Sequence, residues 1–426
     1  MRVLIAATPL TGHVNPLLAI GRLLSARGDS VTVLTDPAFA DKVTEAGLRF
    51  APYDDHGSAG YLEPNLPPGP ERWTNEFDRR FIAPMPAQAA RLRELIASDA
   101  PDVIVAGSMF LGVLPLLLDT KPRPPIVVVN ISILFLDRPD GAPIGMGLPP
   151  ARDEAEFARY AQLKAGMDAA FVGPVRARAD RRLAELGLPG LPASLTQSIA
   201  ILPNAFLQPS VPEFEYDFGS PPETLRFVGL LPMARTNASV PDWWPSRDRS
   251  KRIVLVTQGT LANAEFGQVV EPTLQALAHR DDLLVIATTG GRPVSALTVP
   301  VPANARVERF LPFGEILPEI DLLVTNGGYG SVCQALSAGI PIVSAGLSED
   351  KAEVSARIGW SGAGINLATN TPTVAALREA VETALSDPRY RDRAGIIAEA
   401  FARRDAGREI LAAIDGLVRI PETFEA

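Results

Sequence analysis

Short aliphatic runs alternate along this chain with stretches of helical spacing, the pattern of an α/β protein built on parallel sheets. Arg2 to Ala7 reads as the first strand. Asn15 and Pro16 suit the cap and first position of a helix reaching about Ala26, with Leu17, Ile20, Leu23 and Leu24 turned inward and Gly28 ending it. A strand over Val31 to Leu34, a helix over Phe39 to Ala46 and a strand over Leu48 to Pro52 complete a βαβαβ opening. Further on, Ala87 to Ser98 reads as a helix, and Asp102 to Ala106, Pro125 to Asn130, Ile199 to Pro203 and Leu225 to Phe227 as strands. Phe157 to Leu186 has helical spacing with charges on one side. The alternation restarts with a strand over Ile253 to Thr257, a helix over Gly267 to Ala278 and a strand over Leu283 to Ala287; Val374 to Leu385 and Tyr390 to Leu411 read as helices.

Three stretches break the pattern. Tyr53 to Pro86 mixes glycine and proline with Tyr61, Trp73, Phe77 and Phe81, either a surface excursion or an acceptor-binding loop or lid. Leu136 to Pro150, rich in proline and glycine, suggests a second loop over a cleft. Met233 to Arg252, with Trp243 and Trp244 between prolines, marks a linker. The expected division is therefore 1–232, a linker 233–252, a second domain 253–402, and a tail 403–426 that crosses back onto the first domain.

The densest chemistry lies between Phe310 and Lys351. Leu322 to Thr325 reads as a buried strand, Gly327-Gly328-Tyr329-Gly330-Ser331 as a sharp turn, and Ser331 to Ala338 as a helix stopped by Gly339. A helix opening directly from a glycine turn directs unpaired N–H groups and a partial positive charge forward, which suits a phosphate. Tight helix-on-strand packing explains the glycines equally well. A nicotinamide dinucleotide site would also end on an acidic residue such as Asp350, but the glycines lack G-x-G-x-x-G spacing and fall late in the chain.

Composition narrows the setting. At 426 residues, 46% of them hydrophobic, the chain suits two domains of roughly 200 residues each. A net charge of −9 gives no basic face for nucleic acid or anionic membrane. No signal peptide and no apolar run of membrane-spanning length is read, and a lone cysteine, Cys333, rules out an internal disulfide; together these suit the cytoplasm. Cys333 reads as a small buried residue. Of the three histidines, His13, His56 and His279, only His13 stands in a glycine turn at a strand's C-terminal edge, where ligands gather in open α/β sheets, and the helix start beside it favours a neutral ring.

Taken together, Phe310-Leu-Pro-Phe313, Asn326-Gly-Gly-Tyr-Gly-Ser331, Pro341 and the pair Asp350-Lys351 resemble the donor-sugar site of the inverting GT-B glycosyltransferases, in the branch with bacterial macrolide and plant secondary-metabolite enzymes. The resemblance implies an α/β GT-B fold: two doubly wound, Rossmann-like parallel-sheet domains facing across a cleft. It implies that Phe310 stacks on the nucleobase beside Leu311, and that Asn326, Gly327, Gly328, Tyr329, Gly330 and Ser331 meet the diphosphate. Gly259 and Thr260 join them, and Asp350 and Lys351 meet the sugar. Phe310, Asn326 and Lys351 stand where the family usually has Trp, His and Gln. His13 is implied as general base, with Leu10, Gly12, Trp73 and Ser108 toward the acceptor. The aspartate that usually backs the histidine falls on Gly107, so the orienting carboxylate is missing or comes from elsewhere.

The expected activity is transfer of a hexose from a UDP- or dTDP-sugar to a hydroxyl of a small apolar acceptor, a polyketide, macrolide or phenolic natural product. No metal or other cofactor is expected, nor any nucleic-acid partner or stable membrane insertion. A catalytically weak homologue that binds a nucleotide sugar or a partner enzyme, and a nucleotide-sugar epimerase of the same architecture, remain as alternatives.

Overall fold

The computed structural model describes residues 1–53, 69–232, 239–259 and 265–418. Two all-parallel sheets organise them. The first is seven-stranded in the order β3-β2-β1-β4-β5-β6-β7, with β1 Arg2–Ala6, β2 Ser30–Thr35, β3 Arg49–Pro52, β4 Val103–Gly107, β5 Ile126–Val129, β6 Ala205–Gln208 and β7 Leu225–Phe227. The second is six-stranded in the order β10-β9-β8-β11-β12-β13, with β8 Arg252–Thr257, β9 Leu283–Thr288, β10 Ala305–Glu308, β11 Leu322–Thr325, β12 Ile342–Ser344 and β13 Gly364–Asn366. The central strands are continuous aliphatic runs because helices cover both faces, so no polar face is needed. In each sheet the order reverses beside the first strand, at β1/β4 and at β8/β11, and such switch points open crevices at the strands' C-terminal ends.

Several expectations need correction. Helix α1 spans Thr11–Ala26, so Asn15 and Pro16 lie inside it and Leu10 occupies the cap position. Pro16 lacks the N–H that would reach the Gly12 carbonyl, and Gly12 is exposed, so that interruption falls at the solvent side of the helix's first turns. The Tyr53 to Pro86 stretch is partly helical: α2 spans Pro70–Phe77, Pro70 fitting its first turn, and runs into a π-helical turn Asp78–Ile82. The run Ile199 to Pro203 belongs to helix α3, Leu195–Ile201, capped by Ser194, and the strand is the following Ala205–Gln208. A short apolar run does not distinguish strand from buried helix, and the cap decides it here. Tyr390 to Leu411 divides into a helix Pro388–Ala402 and a last helix, Ala406–Val418.

That last helix packs on the first sheet's side of the molecule. Ile410 and Ile414 join the cluster containing Val3, Ile5, Leu17 and Ile20, and Asp415 pairs with Arg27 of α1 at 2.8 Å. Among the described residues no helix is long and apolar enough to cross a membrane.

Candidate active site

His13 lies in the first turn of α1, directly beyond the C-terminal end of β1. Its ring is half-buried and stacks on Phe81, centroids 6.2 Å apart and planes 14° from parallel. Phe81 contacts Phe77 at 4.9 Å, and Phe77 meets Phe171 edge-on at 6.1 Å, which gives the imidazole an apolar flank. Burial, and secondarily the charge of Arg80, lower the His13 pKa to about 3. Arg80 is itself buried in the π-helical turn, its Nε donating to Glu76 at 3.3 Å. The ring is therefore neutral at physiological pH, as the sequence suggests, but its proton affinity is low.

Nδ1 of His13 is buried and has no hydrogen-bond partner among the described residues. The position that would supply a carboxylate is Gly107, the last residue of β4. A Cβ there would stand 3.3 Å from Leu17 Cδ1, on the α1 face one turn beyond His13. Ser108 does not substitute for it: Ser108 is buried and donates to Asn130 Oδ1 at 3.0 Å, so its assignment to the acceptor is corrected. Leu10 and Gly12 sit at the open start of α1, and nothing lies within 4 Å of a Cβ placed on Gly12. Trp73, on α2, is 50% exposed.

Across the cleft, helix α4 spans Tyr329–Ser337 and opens directly after β11 through Asn326, Gly327 and Gly328. Gly327 has φ +91°, and a Cβ there would press on Ser355 Oγ at 2.8 Å, so only glycine makes this turn. Gly328 has φ −62°, and its Cβ would meet only Asn326 Oδ1, at 3.9 Å, while Gly330 faces open space. The first-turn amides of α4, through Ser331, have no acceptor within the helix, the arrangement that suits an anion. Gly259, at φ +71°, closes the neighbouring turn after β8, and Thr260 lies outside the described residues, as does His56.

The other donor-side residues divide by role. Phe310 is 52% exposed and lies against Gly291, where a Cβ would come within 2.6 Å of its Cζ, so its outer ring face is available to a base. Leu311 is buried in the core with Ile316 and Leu317, so its side chain does not meet a ligand. Asn326 is buried and donates to the Gln258 carbonyl at 2.9 Å, tying the β8 and β11 turns together in place of reaching outward. Tyr329 is also buried, its hydroxyl accepting from Gln208 at 2.5 Å. Lys351 begins helix α5, Lys351–Ser361; its stem packs near Gly327 and Gly346 and its ammonium pairs with Glu349. Among the described residues no cluster of His, Cys, Asp and Glu gathers as a metal site.

Hydrogen bonds hold the two switch points face to face. Ser132, just past β5, donates to the Asp350 carboxylate. Asn130 donates to Gln208 Oε1 at 2.6 Å, and Gln208 in turn donates to Tyr329 at the start of α4. Burial in this interface raises the Asp350 pKa, while Lys351 and Ser132 oppose the shift. Sequence reasoning missed Arg80, Phe81's contact, Ser132, Gln208 and Gly291. Polar residues that meet only across domains carry no local periodicity, and only the Tyr53 to Pro86 aromatics gave a signal. Cys333 is buried and its thiol is pushed up to about 12, an inert packing residue as expected.

Comparison with known proteins adds the family. Residues 271–417 match the model for the C-terminal domain of erythromycin biosynthesis protein CIII-like proteins. The chain is 36% identical to 4'-demethylrebeccamycin synthase of Lentzea aerocolonigenes, covering 98% of this chain and 99% of that protein. It is also 36% identical to UDP-glycosyltransferase 2 of Phaeomoniella chlamydospora, over 97% and 95% of the two chains. Among solved structures, the glycotransferase of kitacinnamycin superposes with a TM-score of 0.75 at 22% identity, covering 98% of each chain. With two facing Rossmann-like sheets, a helix opening from a glycine turn in the second, and full-length relatives of this kind, the chain belongs to the nucleotide-sugar-dependent GT-B glycosyltransferases, the family that includes the bacterial macrolide enzymes.

Proposed function

We propose that this glycosyltransferase moves a hexose from a UDP- or dTDP-sugar to a hydroxyl of a small apolar natural product, with inversion and with His13 as general base. The observation that carries the reading is the pairing of two helix starts across one cleft: α1 with a neutral imidazole and α4 opening from a glycine turn, on sheet edges joined by Ser132 to Asp350 and Gln208 to Tyr329. The acceptor oxygen attacks the anomeric carbon, the carbon–oxygen bond to the diphosphate breaks, and its electron pair leaves on the phosphate. The α4 amides stabilise that charge. The hydroxyl proton passes to His13, and in-line attack from the opposite side inverts the centre.

Phe77, Phe81 and Phe171 offer an apolar flank beside the base, which suits an aromatic or polyketide acceptor. Two relatives are named for a UDP-sugar activity and for synthesis of a natural product, which supports the same reading. The orphaned Nδ1 favours a second reading, a homologue that binds nucleotide sugar without turnover. Mass spectrometry of UDP- and dTDP-sugars incubated with pooled phenolic and macrolide acceptors separates the two. Proton coupling at the product's anomeric centre then reports inversion or retention. Nucleotide binding without any glycoside would replace the proposal with the second reading.

A further inference from the structure

Helix α5 carries the donor-sugar candidates Asp350 and Lys351 at its start, and its next turns reach into the other half of the molecule. Glu353, buried, accepts with one oxygen from two backbone amides of the Pro- and Gly-rich loop, Gly145 at 2.9 Å and Gly147 at 3.0 Å. Its other oxygen takes Arg357 Nη1 at 2.9 Å, and Arg357 Nε continues to Glu215 at 2.7 Å. Glu215 receives the Leu134 amide at 3.2 Å. The loop tip is shaped for this contact. Gly145 and Gly147 adopt φ +90° and +61°, and a Cβ on Gly147 would lie 2.5 Å from the Ala352 carbonyl. Within the loop, Asp140 accepts from the amides of Ala142 at 3.1 Å and Ala151 at 2.9 Å, and Arg138 donates to the Leu148 carbonyl at 2.6 Å, which ties its two limbs together.

The Arg357–Glu215 pair is one of several contacts between the two halves, and a buried pair is poor evidence of stability in itself. Glu353 adds something different: it fixes the tip of a segment that leaves the first sheet's cleft edge at Asn130 and Ser132, and it does so from the turn that follows Asp350 and Lys351. We infer that Glu353 is a positioning residue, holding the Gly145–Gly147 tip as a wall of the acceptor cleft, so that the helix that meets the donor sugar also closes the site against water. The inference rests on the glycosyl-transfer reading. With the wall displaced, water competes with the acceptor for the anomeric carbon, and donor hydrolysis grows at the expense of transfer.

The test compares wild type with Glu353→Ala and Glu353→Gln; the amide of the latter keeps an oxygen for the two glycine N–H groups. Three quantities are read: acceptor KM, the ratio of donor hydrolysis to transfer, and hydrogen exchange over 141–149. Glu353→Ala should raise acceptor KM and the hydrolysis ratio about fivefold or more at unchanged nucleotide affinity and lose protection over the loop, and Glu353→Gln should restore most of all three. Should Glu353→Ala not fold, Gly147→Ala displaces the tip while leaving all three buried charged side chains in place, and is expected to give the same three changes. Wild-type exchange and wild-type partition in the folded variant would overturn the inference. If the wild type transfers no sugar at all, the glycosyl-transfer reading has failed instead, and exchange over 141–149 alone decides whether Glu353 holds the loop.

Discussion

Restoring a carboxylate at Gly107 is the most informative perturbation, because the vacancy it would fill is visible from both sides. Gly107 ends β4 with its Cβ direction toward Leu17, and His13, one turn earlier on α1, has a buried Nδ1 without a partner among the described residues. An Asp side chain extends beyond Cβ and can turn toward that nitrogen once Leu17 Cδ1 gives way by a few tenths of an ångström from 3.3 Å. Accepting a hydrogen bond from Nδ1–H would relieve an unsatisfied buried group, a gain of about 1–3 kcal/mol opposed by desolvation of the new carboxylate. A negative charge within hydrogen-bond reach raises an imidazole pKa by about 1–3 units, so His13 should titrate well above the present value of about 3. The rate follows: transfer to an aliphatic alcohol should rise about tenfold, and transfer to a phenol of pKa about 10 much less, since the phenol asks less of the base. NMR titration of the His13 ring in wild type and Gly107→Asp, with kcat/KM on a phenol and an alcohol of similar size, measures both effects. Thermal stability is checked first. An unchanged His13 titration in a folded Gly107→Asp protein would refute the placement of the carboxylate, and an equal gain on both acceptors would refute the proton-transfer argument.

Gly328→Val should leave the fold intact, since its φ of −62° suits any residue and the space is open, yet it should block phosphate approach; the stabilisation of about 2.7 kcal/mol expected from nucleoside diphosphate at 100 times Kd should vanish from thermal shifts. Phe310→Ala should weaken nucleotide binding by about 1–3 kcal/mol through lost stacking, read by calorimetry, and unchanged affinity would remove Phe310 from the base site. Lys351→Gln, freeing Glu349 from its ion pair, should change the donor-sugar profile with nucleotide affinity nearly kept, and an identical profile would leave Lys351 a packing residue. Because the folded-state pKa of His13 is depressed, its neutral form contributes stability above its ordinary pKa near 6.5, lost as pH falls toward about 3, a few kcal/mol at most. His13→Gln should therefore flatten the denaturant-measured stability profile in that window, and an unaltered slope would contradict the depressed pKa.

Most of the strands and the glycine turns were legible because each is a local signal, an aliphatic run or a forced backbone angle, and His13 stood out as a rare residue at a strand's end; the run Ile199 to Pro203 was misread, and the short strands Ala305–Glu308 and Gly364–Asn366 gave no signal. The α1 start was misread because Pro16 is a good first residue in general, and nothing local says that an exposed Gly12 lets the helix begin earlier. Asn326 and Tyr329 look like ligand groups in sequence, since they flank the glycine turn after β11. Their side chains instead tie that turn to Gln258 and to Gln208, contacts whose partners lie 68 and 121 positions away. Ser108 fails for the same reason, its hydroxyl being engaged by Asn130. The Glu353–Arg357–Glu215 chain was invisible because acidic and basic residues on a helix ordinarily read as a solvated face, and only the tertiary fold buries these.

The role of His13 as base is tested most directly by kcat/KM for sugar transfer in wild type and His13→Ala, measured on a phenol and on an alcohol of similar size. A loss of about 10² to 10⁴ on the alcohol, with a smaller loss on the phenol and nucleotide affinity unchanged, is the expected result. Equal activity of the two proteins on both acceptors would contradict it and move the base elsewhere in the cleft.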